Sequence, residues 1–231
     1  MQIDKSWLTG RFDPRERSDF SEVPLELCDE VGHYLYRDAL EAWVKLHIAA
    51  KEDGLFLQII SSTRNFERQK RIWENKWQGI TLTNGINLSE MNFTAAEKAE
   101  RILRFSAMPG TSRHHWGTDL DFNSVEPEYF ETSKGSEEYN WMKMNAGKFG
   151  FAQPYTAKNI KRRFGYEEEK WHWSFLPLSH QLVEAYRDII SYNDISDFAG
   201  SELALEMQVI EHYVFGIAKG CLPESMWQKN A

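Results

Sequence analysis

The sequence predicts an α+β domain with a helical extension packed on its C-terminal side. Three observations point there. The run from Pro24 to about Asp53 repeats its apolar residues three and four apart, as a helix does. Short apolar or alternating runs, "LFLQIIS", "TDLDF" and "KWHWSF", are separated by helical stretches. From Leu178 onward two more helical runs follow, with no strand pattern between them.

In chain order, "ELCDEVGHYLYRDALEAWVKLHIAAKED" reads as one long helix, with a break possible near Gly32. "LFLQIIS" after Gly54 reads as a buried strand, and "FERQKRIWENKW" (66–77) returns to helical spacing. Residues 78–93 carry glycine, asparagine and serine and read as loop. "TAAE" (94–97) has the form of a capping box and opens a helix to about Phe105. "MPGTS" interrupts the chain, "TDLDF" alternates as a strand, and "EEYNWMKMNAGKFGF" is a helix stopped by its glycines. "KWHWSF" alternates again, and "SHQLVEAYRDIISY" and "SELALEMQVIEHYVFGIA" are helical. We divide the 231 residues into a domain over 1–177, with its N-terminal helix, and an extension over 178–231. There is no internal repeat and no low-complexity linker.

Composition excludes several classes. A hydrophobic fraction of 42% with nine tryptophans suits a packed globular chain. A net charge of -8 argues against a nucleic-acid partner, because phosphate backbones are bound by basic faces. The basic runs "RQKR" (68–71) and "KNIKRR" (158–163) read as solvated surface. Cys28 and Cys221 are too few for a disulfide framework and are expected to be unlinked. The first twenty residues hold no apolar run of signal-peptide length. Nor is there an uncharged run of about 18 residues, so no transmembrane helix is expected.

The chemistry gathers in "SRHHWGTDLDF" (112–122) and "EEEKWHWSF" (167–175). Alternation puts Asp119 and Asp121 on one face of the first strand, and Thr118, Leu120 and Phe122 on the other. Gly117 permits a sharp turn that folds His114 back toward Asp121. In the second run His172 and Ser174 share the face opposite Trp171, Trp173 and Phe175. His114, Asp121 and His172 would form the open tripod of a catalytic zinc, leaving one position for water. Regular strand spacing would set Glu169 and His172 on opposite faces, so a turn or bulge is expected at Lys170. Glu169 could then take a proton from water activated by the metal.

These runs resemble the elements of the VanY-type zinc D,D- and L,D-carboxypeptidases of bacterial cell walls. "SRHHWGTDLD" is similar to their Ser-x-His-x-x-Gly-x-Ala-x-Asp element, and "EKWHW" to their Glu-x-Trp-His element. "SSTRNFERQ" (61–69) resembles the Ser-x-x-Arg-x-x-x-x-Gln stretch that follows a core strand. All three occur in the family's order within about residues 55–176. The resemblance implies a small antiparallel sheet flanked by helices, as in hedgehog and D,D-peptidase folds. It implies zinc on His114, Asp121 and His172, with Glu169 as general base. Arg64 would bind the substrate carboxylate, and Gln69 and Ser112 would lie in the substrate cleft. The implied substrate is a peptidoglycan stem peptide, whose terminal D-alanine is removed. Such a substrate lies at the cell envelope, although with no export signal visible a cytoplasmic role stays open.

One departure is Asp119, which stands where the family usually has alanine. It could orient a ligand, face solvent, or make the metal's water less acidic. His115 could replace His114 as ligand, or close the fourth position of a purely structural zinc site. Glu167 and Glu168 compete with Glu169, though only Glu169 has the matching spacing. His33, His47 and His212 read as ordinary helix residues and His180 as a helix start. Trp116 and Trp171, beside the ligands, read as walls of the cleft. An endopeptidase of the same fold, or a wall-peptide-binding module without turnover, are the rival functions.

Overall fold

A computed structural model describes residues 2–229 of the chain. Helix α1 (Lys5–Leu8) is capped by Asp4, whose carboxylate accepts the Trp7 amide. Trp7 and Trp116 exchange indole hydrogen bonds with each other's segment, Trp7 Nε1 to Trp116 O and Trp116 Nε1 to Leu8 O, both 3.1 Å. The N-terminal turn is thereby pinned under the segment that carries His114 and His115.

The long helix expected from Pro24 is shorter. Its first part is a 3-10 turn at Leu25–Leu27 followed by strand β2 (Tyr34–Tyr36), which pairs antiparallel with β1 (Phe20–Glu22). "YLY" has the alternation of a strand, and the partner strand upstream decides its conformation. Helix α2 (Arg37–Glu52) then buries Ala39, Leu40, Trp43, Leu46, His47 and Ala50. Strand β3 (Ile59–Ser61) forms only the last part of "LFLQIIS". Upstream of it the Leu57 carbonyl accepts from His47 Nδ1 at 2.7 Å.

Helix α3 (Phe66–Trp77) starts at an Asn65 cap, and α4 (Ala95–Ile102) at the Thr94–Glu97 capping box, as its sequence predicts. Strand β4 (Asp119–Phe122), α5 (Ser133–Asn145), β5 (Phe151–Ala152), β6 (His172–Phe175) and α6 (Leu176–Ile189) follow. The main sheet runs β3-β4-β6-β5 and every pair is antiparallel. The fold is therefore the α+β class expected, a small antiparallel sheet flanked by helices. In the register of β4 and β6, Asp121 lies opposite His172 and Asp119 opposite Ser174. Both strands are buried along their whole length.

Beyond α6 the second expected helix does not form. Residues 201–218 make short 3-10 and turn segments and one π turn at Ile210–Val214. Gln208 has φ 48, which a continuing helix cannot contain. Gly216 lies so close to His212 O that a Cβ would sit 1.9 Å from it. Phe198, Val209, Val214, Ile217 and Leu222 still join the same hydrophobic core as the sheet. Cys28 and Cys221 are buried and unlinked. Among the described residues no helix is long and apolar enough to cross a membrane.

Candidate active site

A 3-10 turn, Arg113–Trp116, ends at Gly117 in the left-handed conformation, φ 77. A Cβ at Gly117 would lie 2.3 Å from the Phe20 ring, so this close turn needs glycine. The turn carries His114 over the face of β4 that bears Asp121. His114 Nδ1 donates to Ser62 O at 2.8 Å, which leaves Nε2 facing inward. His172 Nε2 donates to Asp119 Oδ2 at 2.9 Å, which leaves Nδ1 facing inward. Asp121 comes into place through its register with His172.

Donor atoms from three residues therefore converge. His114 Nε2 lies 3.3 Å from Asp121 Oδ2 and 3.3 Å from His172 Nδ1, and His172 Nδ1 lies 3.2 Å from Asp121 Oδ1. Metal bonds of about 2.0–2.1 Å at tetrahedral angles put neighbouring ligand atoms about 3.3 Å apart. The donor set is that of a divalent transition metal, and Asp121 Oδ1 is buried with no hydrogen-bond partner of its own. His114, Asp121 and His172 thus fit a zinc ion.

The chain turns at Lys170 and Trp171, and the His172 amide donates to Glu169 O at 3.3 Å. This turn puts Glu169 Oε2 3.3 Å from His172 Nδ1, on the side of the tripod rather than across the strand. Glu169 is further held by its amide on Tyr155 O and by Gln153 Nε2 on its carbonyl. Burial raises the Glu169 carboxyl above its ordinary range, outweighing the neighbouring His172. Burial lowers His114 to about 4, so its imidazole is neutral and able to bind a metal.

Arg64 follows β3 and faces the same cleft, together with Ser112, His114, Tyr155, Glu169 and His172. Its Nε is buried without a partner, and burial is the main influence on the guanidinium, pushing it down against the pull of Asp121 and Glu169. Its backbone is gripped twice: the amide donates to His114 O, and the carbonyl accepts from His115 Nδ1 at 2.6 Å. Gln69 does not line the cleft. It sits behind the wall on α3, where Nε2 donates to Ala107 O at 2.8 Å.

Both nitrogens of His115 are occupied, Nδ1 by Arg64 O and Nε2 by the Gly110 amide. It has no lone pair free for a metal. His33 is not on a helix; it precedes β2 and bridges Asp29 to Ser62, the residue whose carbonyl orients His114. Two residues escaped the sequence reading. Tyr155, whose ring centroid is 4.8 Å from that of His172, walls the cleft from the loop after β5. Arg113, fully buried beside Asp119, could have been found as a cation six residues before an unexpected aspartate.

Residues 32–178 match the family model described as VanY, D-alanyl-D-alanine carboxypeptidase. YodJ of Bacillus subtilis (strain 168) is 29% identical over 172 residues, 73% of this chain and 56% of that protein. The D-alanyl-D-alanine carboxypeptidase of Enterococcus faecalis (strain ATCC 700802 / V583) is 27% identical over 128 residues, 55% of this chain and 43% of that protein. The chain spans about half the length of these curated relatives. Among solved structures, VanYB in complex with D-alanine-D-alanine superposes with a TM-score of 0.53 at 23% identity, over 77% of this chain and 87% of that one. A vancomycin-resistance D,D-pentapeptidase VanY variant in complex with Zn(II) gives 0.50 at 22%, over 76% and 94%. These two likenesses are of fold.

Proposed function

Because the chain belongs to the VanY D-alanyl-D-alanine carboxypeptidase family, we propose that it is a zinc-dependent carboxypeptidase removing the terminal D-alanine from peptidoglycan stem peptides. The observation that carries this reading is the meeting of a metal-ligand tripod, a buried carboxylate and a guanidinium around one cleft. Fold neighbours that hold D-alanine-D-alanine and Zn(II) support it.

His114, Asp121 and His172 would hold the zinc, which when bound supplies a Lewis acid for the scissile carbonyl and lowers the pKa of the attacking water. Glu169 accepts the water's proton and delivers it to the leaving amine nitrogen. Its raised affinity for protons suits both halves of that transfer. Arg64 takes the free carboxylate one residue beyond the cut, as a guanidinium fork does well. Tyr155 and Ser112 line the cleft and limit water around the reacting bond. Residues 1–177 form the catalytic domain and 178–231 the extension packed on it. Such a substrate argues for a role at the cell envelope.

The test is release of D-alanine from synthetic tetrapeptide and pentapeptide stems, for wild type and Glu169→Ala, with zinc content measured in both. D-Alanine from one stem, lost in the variant while one zinc per chain remains, supports the proposal and identifies the bond as L,D or D,D. Zinc bound with neither stem cut would move the function to an endopeptidase or a binding module.

A further inference from the structure

On the far side of the His172 ring from the tripod lies a buried ionic cluster. Asp119 is fully buried and receives four hydrogen bonds. Its Oδ2 accepts from Arg113 Nε and His172 Nε2, both at 2.9 Å, and its Oδ1 from Thr118 Oγ1 at 2.7 Å and Ser174 Oγ at 2.8 Å. Arg113 Nη2 in turn donates to Ser174 Oγ at 2.6 Å, and the guanidinium lies over the Trp116 ring, 4.7 Å from its centroid. The carboxylate can therefore neither rotate nor retreat.

An ionised carboxylate only accepts, so the imidazole nitrogen that meets it must carry the proton. Nε2–H on Asp119 leaves the lone pair on Nδ1, the atom that faces His114 Nε2 and Asp121. Remove Asp119, and the group left behind His172 is the Arg113 guanidinium, which favours the opposite tautomer. We propose that Asp119, clamped by Arg113 and Ser174, is a positioning residue that fixes the ring orientation and tautomer of His172 for the metal. It stands where the resembled element carries alanine, so this chain supplies the device itself. The proposal rests on the zinc reading above.

The experiment measures zinc affinity by chelator competition, with melting of the metal-free chain, for wild type, Asp119→Asn and the double variant Arg113→Met/Asp119→Ala. The double variant removes both charges, so no uncompensated ion is left buried. Loss of such an outer carboxylate weakens metal binding by about 10–100-fold, and the double variant is expected to show this while melting cooperatively. In Asp119→Asn the amide oxygen can still accept from Nε2 while its NH2 faces two hydroxyls, so a smaller loss is expected. The zinc-loaded wild type and Asp119→Asn should show a slowly exchanging His172 Nε2–H resonance that the double variant lacks.

A folded double variant with wild-type zinc affinity would overturn the proposal. So would a zinc-loaded wild type with no proton on His172 Nε2, a result that needs no variant to fold. Zinc bound tightly but no stem peptide cut would sink the peptidase reading and leave the affinity comparison standing. A wild-type chain that takes up no zinc would sink both.

Discussion

Replacing Gly117 with alanine tests how the turn before β4 is built. Two costs arise at this position. The left-handed backbone, φ 77, costs a residue with a Cβ about 1–2 kcal/mol. The new Cβ would also lie 2.3 Å from Phe20 Cε1 and 3.0 Å from Tyr36 N. The Phe20 ring is packed among Trp7, Phe12 and Tyr36, and the Tyr36 amide already donates to Gly117 O, so neither neighbour can give way freely. Overpacking of this kind costs about 1–3 kcal/mol, for a total of about 2–5 kcal/mol. With a urea slope near ~2 kcal/mol per M, the unfolding midpoint of the metal-free chain should fall by about 1–2.5 M. Gly147→Ala is the control: nothing lies within 4 Å of its Cβ position, and its backbone is not left-handed. That variant should unfold at or slightly above the wild-type midpoint. Equal midpoints for Gly117→Ala and wild type would refute the reasoning about the turn.

Three further outcomes are expected. Glu169→Gln should keep its zinc and lower kcat by about 10²–10⁴-fold; a variant near wild-type activity would remove Glu169 from the proton transfer. Arg64→Lys should raise KM by about 10-fold or more for a free-acid stem and erase the preference for it over a C-terminal amide. Unchanged discrimination would take the carboxylate away from Arg64. Burial lowers His115 from 6.5 to about 3, so between those values the unfolded chain binds a proton that the folded chain refuses. This contribution to stability is fully present above about pH 6.5 and is lost as pH falls, by up to about 1.4 kcal/mol per pH unit. Urea unfolding of the metal-free chain, from neutral pH to about pH 4.5, should therefore be steeper in pH for wild type than for His115→Gln. Parallel profiles would show that His115 titrates alike in both states.

The family elements in the sequence located the candidate site better than periodicity located the fold. His114, Asp121 and His172 meet because their spacing sits on two paired strands and one glycine turn, all of which local chemistry announces. Helix α4 was legible from its capping box for the same reason. Strand β2 was not: "YLY" lies within a helix-like period, and only pairing with Phe20–Glu22 reveals it. The stretch 201–218 has a helical pattern, yet the left-handed Gln208 and Gly216, crowded by His212 O and Gly165 N, break it. Asp119 was recognised as a departure, but its meaning depended on Arg113 and Ser174, which only the turn and the register bring to it. Gln69 kept its place in the motif and still turned its amide to the wall, because α3 presents it to Ala107 O.

The double grip on the Arg64 backbone has a consequence for how such a protein can diverge. An exopeptidase must keep a ruler: a fixed length between the bond it cuts and the chain end it holds. On the proposed reading one end of that ruler is Arg64, and it is tied to the turn carrying His114 by a main-chain amide and by the His115 ring on its carbonyl. The amide link survives any side-chain change that spares the backbone. Neighbouring core residues can then drift while the cutting register stays put. A shift toward longer or shorter substrates would have to come from the loops around the cleft, which those tethers do not hold.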